Sequence, residues 1–128
     1  MAEITANVNW LAVIVGAVVA YLLGMLWYSP KLFGTIWAAG AGVSFDDASG
    51  PPVMAMTTQA IGTFLLACVV GVTAASNALL TIILIVVAMV TLLAAGDMFG
   101  KKNGSAIAVN TGFIVAMTVV MIVCQAIF

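Results

Sequence analysis

Charged residues are scarce in this 128-residue chain, and their scarcity decides its class. Lysine and arginine together number three, aspartate and glutamate number four, and charged residues make up 5% of the chain against 66% hydrophobic residues. Soluble domains carry about 25% charged residues. The formal net charge is −1 and arginine is absent, so the chain has no basic surface for phosphate contacts. These features argue against nucleic-acid binding.

Histidine is absent as well, and the two cysteines lie inside apolar stretches. The chain therefore lacks the commonest metal ligand, the usual haem ligand and the usual proton shuttle at neutral pH. Cys68 and Cys124 are expected to behave as small hydrophobic side chains, although a disulfide between them stays conceivable. No nucleophile–base pair, phosphate loop or metal-ligand spacing occurs in the sequence. We therefore predict no catalytic residue, no metal, no cofactor and no enzymatic activity.

Four apolar stretches fill most of the chain. A helix that crosses a bilayer core needs about 20 apolar residues, and each stretch meets that length. We predict an all-α single domain over residues 1–128, a four-helix transmembrane bundle with a short interfacial helix in the first connector. The predicted spans cover about residues 8–28, 53–75, 78–98 and 105–128. The interfacial segment, about 31–41, has its apolar residues on one helical face.

The lysines predict an orientation for the bundle. Lys31, Lys101 and Lys102 all fall in connectors on one side, here called the lysine side, while the side with the termini has no lysine. The positive-inside rule places the lysine side in the cytoplasm and both termini on the extracytoplasmic side. Because only three charges contribute, insertion in both directions stays an alternative.

Small residues recur at every fourth position in three of the four spans. Helices in lipid associate by close packing, which small residues permit. The predicted helix-packing positions are Ala12, Gly16, Ala20 and Gly24, then Thr63, Ala67 and Gly71, and finally Ala108, Gly112 and Ala116. The third span has no such run, and we expect it either to face lipid more or to pack on the second span through their short turn. The spacing leaves open whether the partner helix belongs to the same chain, to a second copy or to another protein.

Five polar residues are predicted to form a cluster near the lysine side: Tyr28, Ser29, Gln59, Asp97 and Asn110. Gln59 and Asn110 are expected to be buried and to hydrogen-bond across helices, and a vestibule for an ion or small polar solute is the alternative. Asp97 is expected to be solvated at the membrane boundary, or to pair with Lys101 one helical turn later.

Two motifs of the chain resemble a known family. The first span opens with Val8-Asn9-Trp10-Leu11-Ala12-Val13 and closes with Gly24-Met25-Leu26-Trp27-Tyr28-Ser29-Pro30-Lys31-Leu32-Phe33-Gly34, and the last span contains Asn110-Thr111-Gly112-Phe113. Together they resemble the bacterial domain-of-unknown-function family 1761. The resemblance implies a small four-helix protein of the bacterial inner (plasma) membrane and supplies no activity. It also suggests that Asn110 reaches unpaired backbone carbonyls near Pro30.

These observations favour a role in packing, binding or permeation. We predict a non-enzymatic scaffold or accessory subunit in contact with membrane lipids, associating with a second copy or a partner membrane protein. The alternative is an oligomeric channel or transporter for an ion or small solute. Four-helix exporters of similar size place an essential glutamate in the first span, and no acid lies between Asn7 and Tyr28. A ligand beside Tyr21, Trp27 and Trp37 would instead indicate a binding protein.

Overall fold

The computed structural model describes residues 6–29, 32–41 and 53–128, and these segments form five helices. The helices are α1 (Trp10–Trp27), α2 (Gly34–Ala41), α3 (Val53–Ala75), α4 (Leu79–Phe99) and α5 (Gly104–Ile127). All except α2 are long and apolar enough to cross a membrane. The all-helical class and the four membrane-capable helices are therefore confirmed, and α2 lies within the connector in which a short helix was predicted.

Left-handed residues end α3 and α4 and produce two tight turns. The backbone φ is 53° at Asn77 and 59° at Lys101. In each turn the next N–H donates to the carbonyl five residues back, at 2.7 Å from Ala78 and at 3.0 Å from Lys102. This pattern is a Schellman motif, which pairs carbonyls that the helix end would otherwise leave free. Asparagine tolerates the left-handed conformation, whereas at lysine it costs about 1–2 kcal/mol.

Asparagine side chains begin α1 and α5. The side-chain oxygen of Asn9 accepts the N–H of Ala12 at 3.1 Å, and that of Asn103 accepts the N–H of Ala106 at 2.9 Å. An N-cap of this kind satisfies one of the donors that a helix start leaves unpaired. Both caps lie next to long apolar runs, so the polar residue and the start of each span coincide.

Helix α1 packs between α3 and α5, and its small residues allow the approach. A methyl group added at Gly16 would lie 3.5 Å from Met121, and one added at Gly71 would lie 2.6 Å from Val13. The core between these helices consists of large apolar side chains set against small ones: Val13, Ala20, Leu66, Ala67, Val70, Phe113, Met117 and Met121. The close contacts of the small residues are therefore made within one chain.

The predicted packing positions differ in their burial. Those in the first and second spans are buried, except Gly24, which is half-buried. In α5, Gly112 and Ala116 are half-buried and Ala108 is exposed, which differs from the prediction for Ala108. The buried stripe of α5 runs instead through Val109 and Phe113. Large side chains fill this interface, and the small residues Ala108, Gly112 and Ala116 lie beside it, about one sequence position away.

Helix α4 is the least buried of the four long helices, as its lack of a regular small-residue run predicts. Only Ile82, Val86 and Asp97 are buried along its length. Its exposed residues include Leu80, Leu84 and Leu92, side chains suited to contact with lipid. The buried Asp97 near its lysine-side end is therefore the exception that needs an explanation.

The first ten residues of α3 stand away from the bundle. Every residue from 53 to 62 is exposed, and the first buried residue is Thr63, where the small-residue run begins. Gln59 occupies the preceding position of that run, and its larger side chain interrupts the spacing that permits close approach. A methyl group added at Gly62 would meet no atom within 4 Å. The interruption leaves space between α3 and its neighbours on the lysine side.

Candidate functional site: a cavity with a polar end

A chain of polar side chains links α1, α4 and α5 on the lysine side. The hydroxyl of Tyr28 donates to Oδ1 of Asn110 at 2.8 Å. Nδ2 of Asn110 donates to Oδ2 of Asp97 at 2.9 Å, and Nζ of Lys102 donates to Oδ1 of Asp97 at 3.1 Å. Three predicted residues are thus brought together, and a lysine joins them.

The turn after α4 decides which lysine joins this polar chain. Asp97 was expected to be solvated or to pair with Lys101, but it is buried and its partner is Lys102. Because Lys101 adopts the left-handed conformation, the backbone reverses there and Lys102 returns to the end of the helix. The backbone N–H of Lys102 donates to the carbonyl of Asp97 as well. Lys102 therefore contacts Asp97 through both its backbone and its side chain. The prediction of Lys101 used the i to i+4 spacing of a continuous helix, which does not hold where the backbone reverses.

The ion pair is asymmetric in its exposure. The side chain of Asp97 is 7% exposed and that of Lys102 is 32% exposed. Burying a carboxylate is costly unless it is paired and hydrogen-bonded, and both oxygens of Asp97 have partners. The formal charges of the pair cancel, and the polar cluster is therefore close to neutral.

Aromatic side chains surround the polar chain and tie α2 to the bundle. Nε1 of Trp27 donates to the carbonyl of Val109 at 3.0 Å. The ring of Tyr28 packs edge-on against Trp37, with centroids 5.6 Å apart, and against Phe113 at 5.3 Å. Edge-to-face pairs at this separation are favourable beyond their burial of area. The residues that close the first span therefore converge with the motif of the last span.

Glycines make room for these rings and for the backbone. A methyl group added at Gly24 would lie 2.8 Å from the Phe113 ring, and one added at Gly112 would lie 3.4 Å from Trp27. A methyl group added at Gly34 would overlap the carbonyl oxygen of Tyr28. Gly24 and Gly112 thus seat aromatic rings between α1 and α5, whereas Gly16 and Gly71 bring helices together.

Two predicted members of the cluster lie outside it. Gln59 is exposed, and its side chain donates to Thr63 of the same helix at 3.3 Å. The hydroxyl of Ser29 donates to the carbonyl of Leu26 at 2.7 Å, also within its own segment. The expectation that Gln59 is buried and bonds across helices is therefore wrong, because the start of α3 stands away from the bundle.

Asn110 reaches the end of the first span, as predicted, but the described contact is with a side chain. Asn110 bonds the phenol of Tyr28, whereas a backbone carbonyl near Pro30 was expected. Pro30 and Lys31 lie outside the described residues. Among the described residues, the structure therefore brings Asn110 to the end of the first span through the side chain of Tyr28.

A cavity of about 570 Å³ opens beside the polar chain. Its polar end consists of Tyr28, Trp37, Asp97, Lys102 and Asn110, with Gln59 and Tyr21 at its sides. Its remaining walls are apolar or small: Gly24, Met25, Ala55, Met56, Leu93, Phe113 and Ile114. Met25, Met56 and Leu93 are among the exposed hydrophobic residues, so the cavity reaches the surface that faces lipid. A hydrogen bond from the Tyr21 hydroxyl to the carbonyl of Met56, at 3.1 Å, bridges α1 and α3 beside it.

One donor in this region has no partner among the residues that the structure describes. Nε1 of Trp37 is buried and unpaired there, although buried N–H groups usually find an acceptor. The sequence indicated Trp37, with Tyr21 and Trp27, as a possible neighbour of a ligand, but it indicated no role at this site for Lys102 or Phe113. Phe113 is the last residue of the Asn110-Thr111-Gly112-Phe113 motif, and its place in that motif is the signal that could have indicated it.

Metal and disulfide chemistry have little support in the described segments. Within residues 6–29, 32–41 and 53–128, no group of three or more metal-ligating side chains occurs. Cys68 and Cys124 are free thiols, and Cys124 packs near Gly16. The arrangement can accept or donate hydrogen bonds at one end of an apolar space, which suits binding better than bond-breaking chemistry.

Comparison with known proteins assigns the chain to a family. Residues 11–126 match the profile of the family described as Protein of unknown function (DUF1761). The chain belongs to this family, and the resemblance found in its motifs is confirmed. No curated protein and no solved structure is significantly similar to the chain.

Proposed function

We propose that this member of the DUF1761 family is a non-enzymatic accessory protein of the membrane that binds one small amphipathic molecule in the cavity on its lysine side. The observation that carries the proposal is the cavity itself, about 570 Å³ with apolar walls and a polar end. Ligand sites in proteins typically measure about 300–1,000 Å³ and combine apolar walls with a few polar groups.

The position of the cavity supports entry from the bilayer. Met25, Met56 and Leu93 are exposed at its edge, and all three belong to helices that are apolar enough to cross a membrane. An amphipathic molecule dissolved in the bilayer would place its apolar part among these side chains. Its head would then reach the level of Tyr28 and Asn110.

The prediction of a scaffold that associates through small-residue faces becomes a weaker candidate. Gly16 and Gly71 contact Met121 and Val13 of the same chain, so those faces are occupied without a second copy. A partner protein would have to use other surfaces, such as the apolar exposed face of α4. In lipid such a face has no intrinsic drive to find a protein partner, because lipid chains are equally apolar.

A channel or transporter, the alternative prediction, has less support as well. Val13, Val70, Ile82 and Met121 are the largest fully buried side chains, and a smaller pocket of about 240 Å³ beside Thr73 and Asn77 shares no lining residue with the cavity. A cavity that ends on a packed core suits retention of a molecule better than its passage. Permeation would require a path formed between copies of the chain.

Photolabelling tests the proposed binding. The purified protein in lipid nanodiscs would be irradiated with an alkyl diazirine at increasing concentration, digested and analysed by mass spectrometry. We expect saturable labelling of Met56 and Leu93, which excess unlabelled alkane suppresses. Labelling of the lipid-facing Leu84 should instead rise in proportion to the probe, since that residue meets the bulk bilayer.

Two substitutions of equal size provide the control. Ala55→Phe places a ring in the cavity, whereas Ala88→Phe places one on an exposed position of α4. We expect Ala55→Phe to remove the saturable component and Ala88→Phe to leave it unchanged. Labelling that never saturates, or that is equal in both variants, contradicts the proposal.

A further inference from the structure

We infer that the molecule held in the cavity is a neutral amphiphile whose head presents a hydrogen-bond-accepting oxygen, such as a carbonyl. The inference rests on the proposed function and specifies its ligand. It depends on three properties of the polar end: the unpaired indole N–H of Trp37, the balance of charge between Asp97 and Lys102, and the spare donors of the neighbouring side chains.

The donors at the polar end exceed the bonds that the described residues supply. Nε1 of Trp37 is buried without an acceptor in the described part of the chain. Lys102 carries three N–H groups and Asn110 carries two, and in the described residues each side chain donates one hydrogen bond, to Asp97 in both cases. An oxygen that enters the cavity at this level would meet several donors from different elements. The indole of Trp37 lines the cavity but its Nε1 is covered, so a small rotation of the ring would bring its N–H to this oxygen.

The charges at the polar end favour a neutral head. The carboxylate of Asp97 and the ammonium of Lys102 lie 3.1 Å apart and offset each other. A cationic head would have to compete with Lys102 for the carboxylate, and an anionic head would approach that buried carboxylate closely. Like charges repel strongly where the dielectric constant is low. A carbonyl or ether oxygen avoids both problems and can still accept hydrogen bonds.

The volume of the cavity favours a compact head. Its volume of about 570 Å³ holds one compact molecule, and the rings of Tyr28, Trp37 and Phe113 line the region of the polar end. Aromatic walls suit a flat or slender head better than a branched one. The apolar part of the molecule would leave the cavity between Met25 and Met56, which are exposed at its edge.

Nuclear magnetic resonance of the indole groups tests this inference directly. The chain has three tryptophans, so the proton–nitrogen spectrum contains three indole signals, and Trp37→Phe assigns one of them. Trp27 already donates to Val109 and serves as an internal reference, and Trp10 lies near the opposite end of α1. The probes are methyl octyl ketone, decane, decanoate and decyltrimethylammonium, added at equal mole fractions to the protein in lipid bicelles.

The ketone is expected to shift the Trp37 indole proton downfield in a saturable manner, with a smaller effect from the other three probes. Labelled methyl groups of Met25 and Met56 report occupancy independently of the head. In Trp37→Phe we expect ketone binding, followed by these methyl groups, to weaken about fivefold, as the loss of one hydrogen bond predicts, while decane binding stays unchanged. A control variant, Trp10→Phe, should alter neither.

The outcomes separate the inference from the proposed function. If the methyl groups respond to every probe and the Trp37 signal responds to none, or responds equally to a charged probe, the cavity binds amphiphiles but the inference about the head is wrong. The inference is also wrong if Trp37→Phe weakens ketone and decane binding equally, because the ring would then act through shape alone. If neither the methyl groups nor Trp37 respond to any probe, the proposed function itself fails.

Discussion

Replacing Asn110 by leucine tests the polar chain at its centre. The substitution approximately preserves side-chain size and removes two hydrogen bonds, one from Tyr28 at 2.8 Å and one to Asp97 at 2.9 Å. The apolar side chain can still pack against the neighbouring walls. The loss of stability should therefore report the hydrogen bonds and not a cavity.

The two bonds differ in their expected contribution. Hydrogen bonds between membrane helices contribute about 0.6 kcal/mol on average and at most about 1.7, which applies to the neutral bond from Tyr28. Bonds to charged groups contribute about 1.5–3 kcal/mol, which applies to Asp97, a residue with only 5% exposure. We expect Asn110→Leu to destabilise the protein by about 2–4 kcal/mol and Tyr28→Phe by about 0.6 kcal/mol.

The assay is unfolding in mixed micelles with increasing sodium dodecyl sulfate, followed by circular dichroism. Tyr28→Phe is the matched control because it removes only the first bond. In the double variant the Tyr28→Phe substitution should have little further effect, since its partner is already absent. If Asn110→Leu costs no more than Tyr28→Phe, or if the two effects add fully, the bonds to Asp97 and Tyr28 do not stabilise the bundle as argued.

Three further predictions concern the backbone and the ion pair on the lysine side. Gly34→Ala should destabilise the protein by about 1–3 kcal/mol because the added methyl group overlaps a backbone carbonyl. The control Gly62→Ala, whose methyl group meets open space, should not destabilise it. Thermal unfolding of the two variants measures the difference. Lys102→Met should lower the free energy of unfolding by about 1–3 kcal/mol, because the buried carboxylate of Asp97 loses its charged partner. Lys101→Met should change it by less than about 0.5 kcal/mol. Equal effects of the two substitutions would contradict the pairing of Asp97 with Lys102. Lys101→Gly should raise stability by about 1 kcal/mol by relieving the left-handed backbone, and Lys101→Ala should not.

Much of the fold follows from the sequence because the bilayer fixes the length of its helices. The apolar stretches predict four long helices, and the observed bounds of α3, Val53–Ala75, equal the predicted residues 53–75. The buried small residues of α1 and α3 follow from their spacing. In α5 the same spacing wrongly predicted Ala108 as a packing position, because the large side chains of Val109 and Phe113 fill the interface there.

The site was only partly predictable, for physical reasons. Asp97 and Asn110 lie on the same side of the membrane by sequence position, and Tyr28 ends the first span at that level. The contact of Lys102 depends on a left-handed turn at Lys101, which lysine seldom adopts. The cavity arises from the separation of α3 from its neighbours. This separation depends on how several helices pack together, so it cannot be predicted from any one residue.

Native mass spectrometry of the protein released from its own membrane in mild detergent tests the central claim most directly. The claim predicts a single chain that retains one small molecule at a fixed stoichiometry, with the molecule lost in Ala55→Phe and retained in Ala88→Phe. A bare chain, or a protein complex whose mass is unaffected by Ala55→Phe, would contradict the claim that the cavity is a binding site.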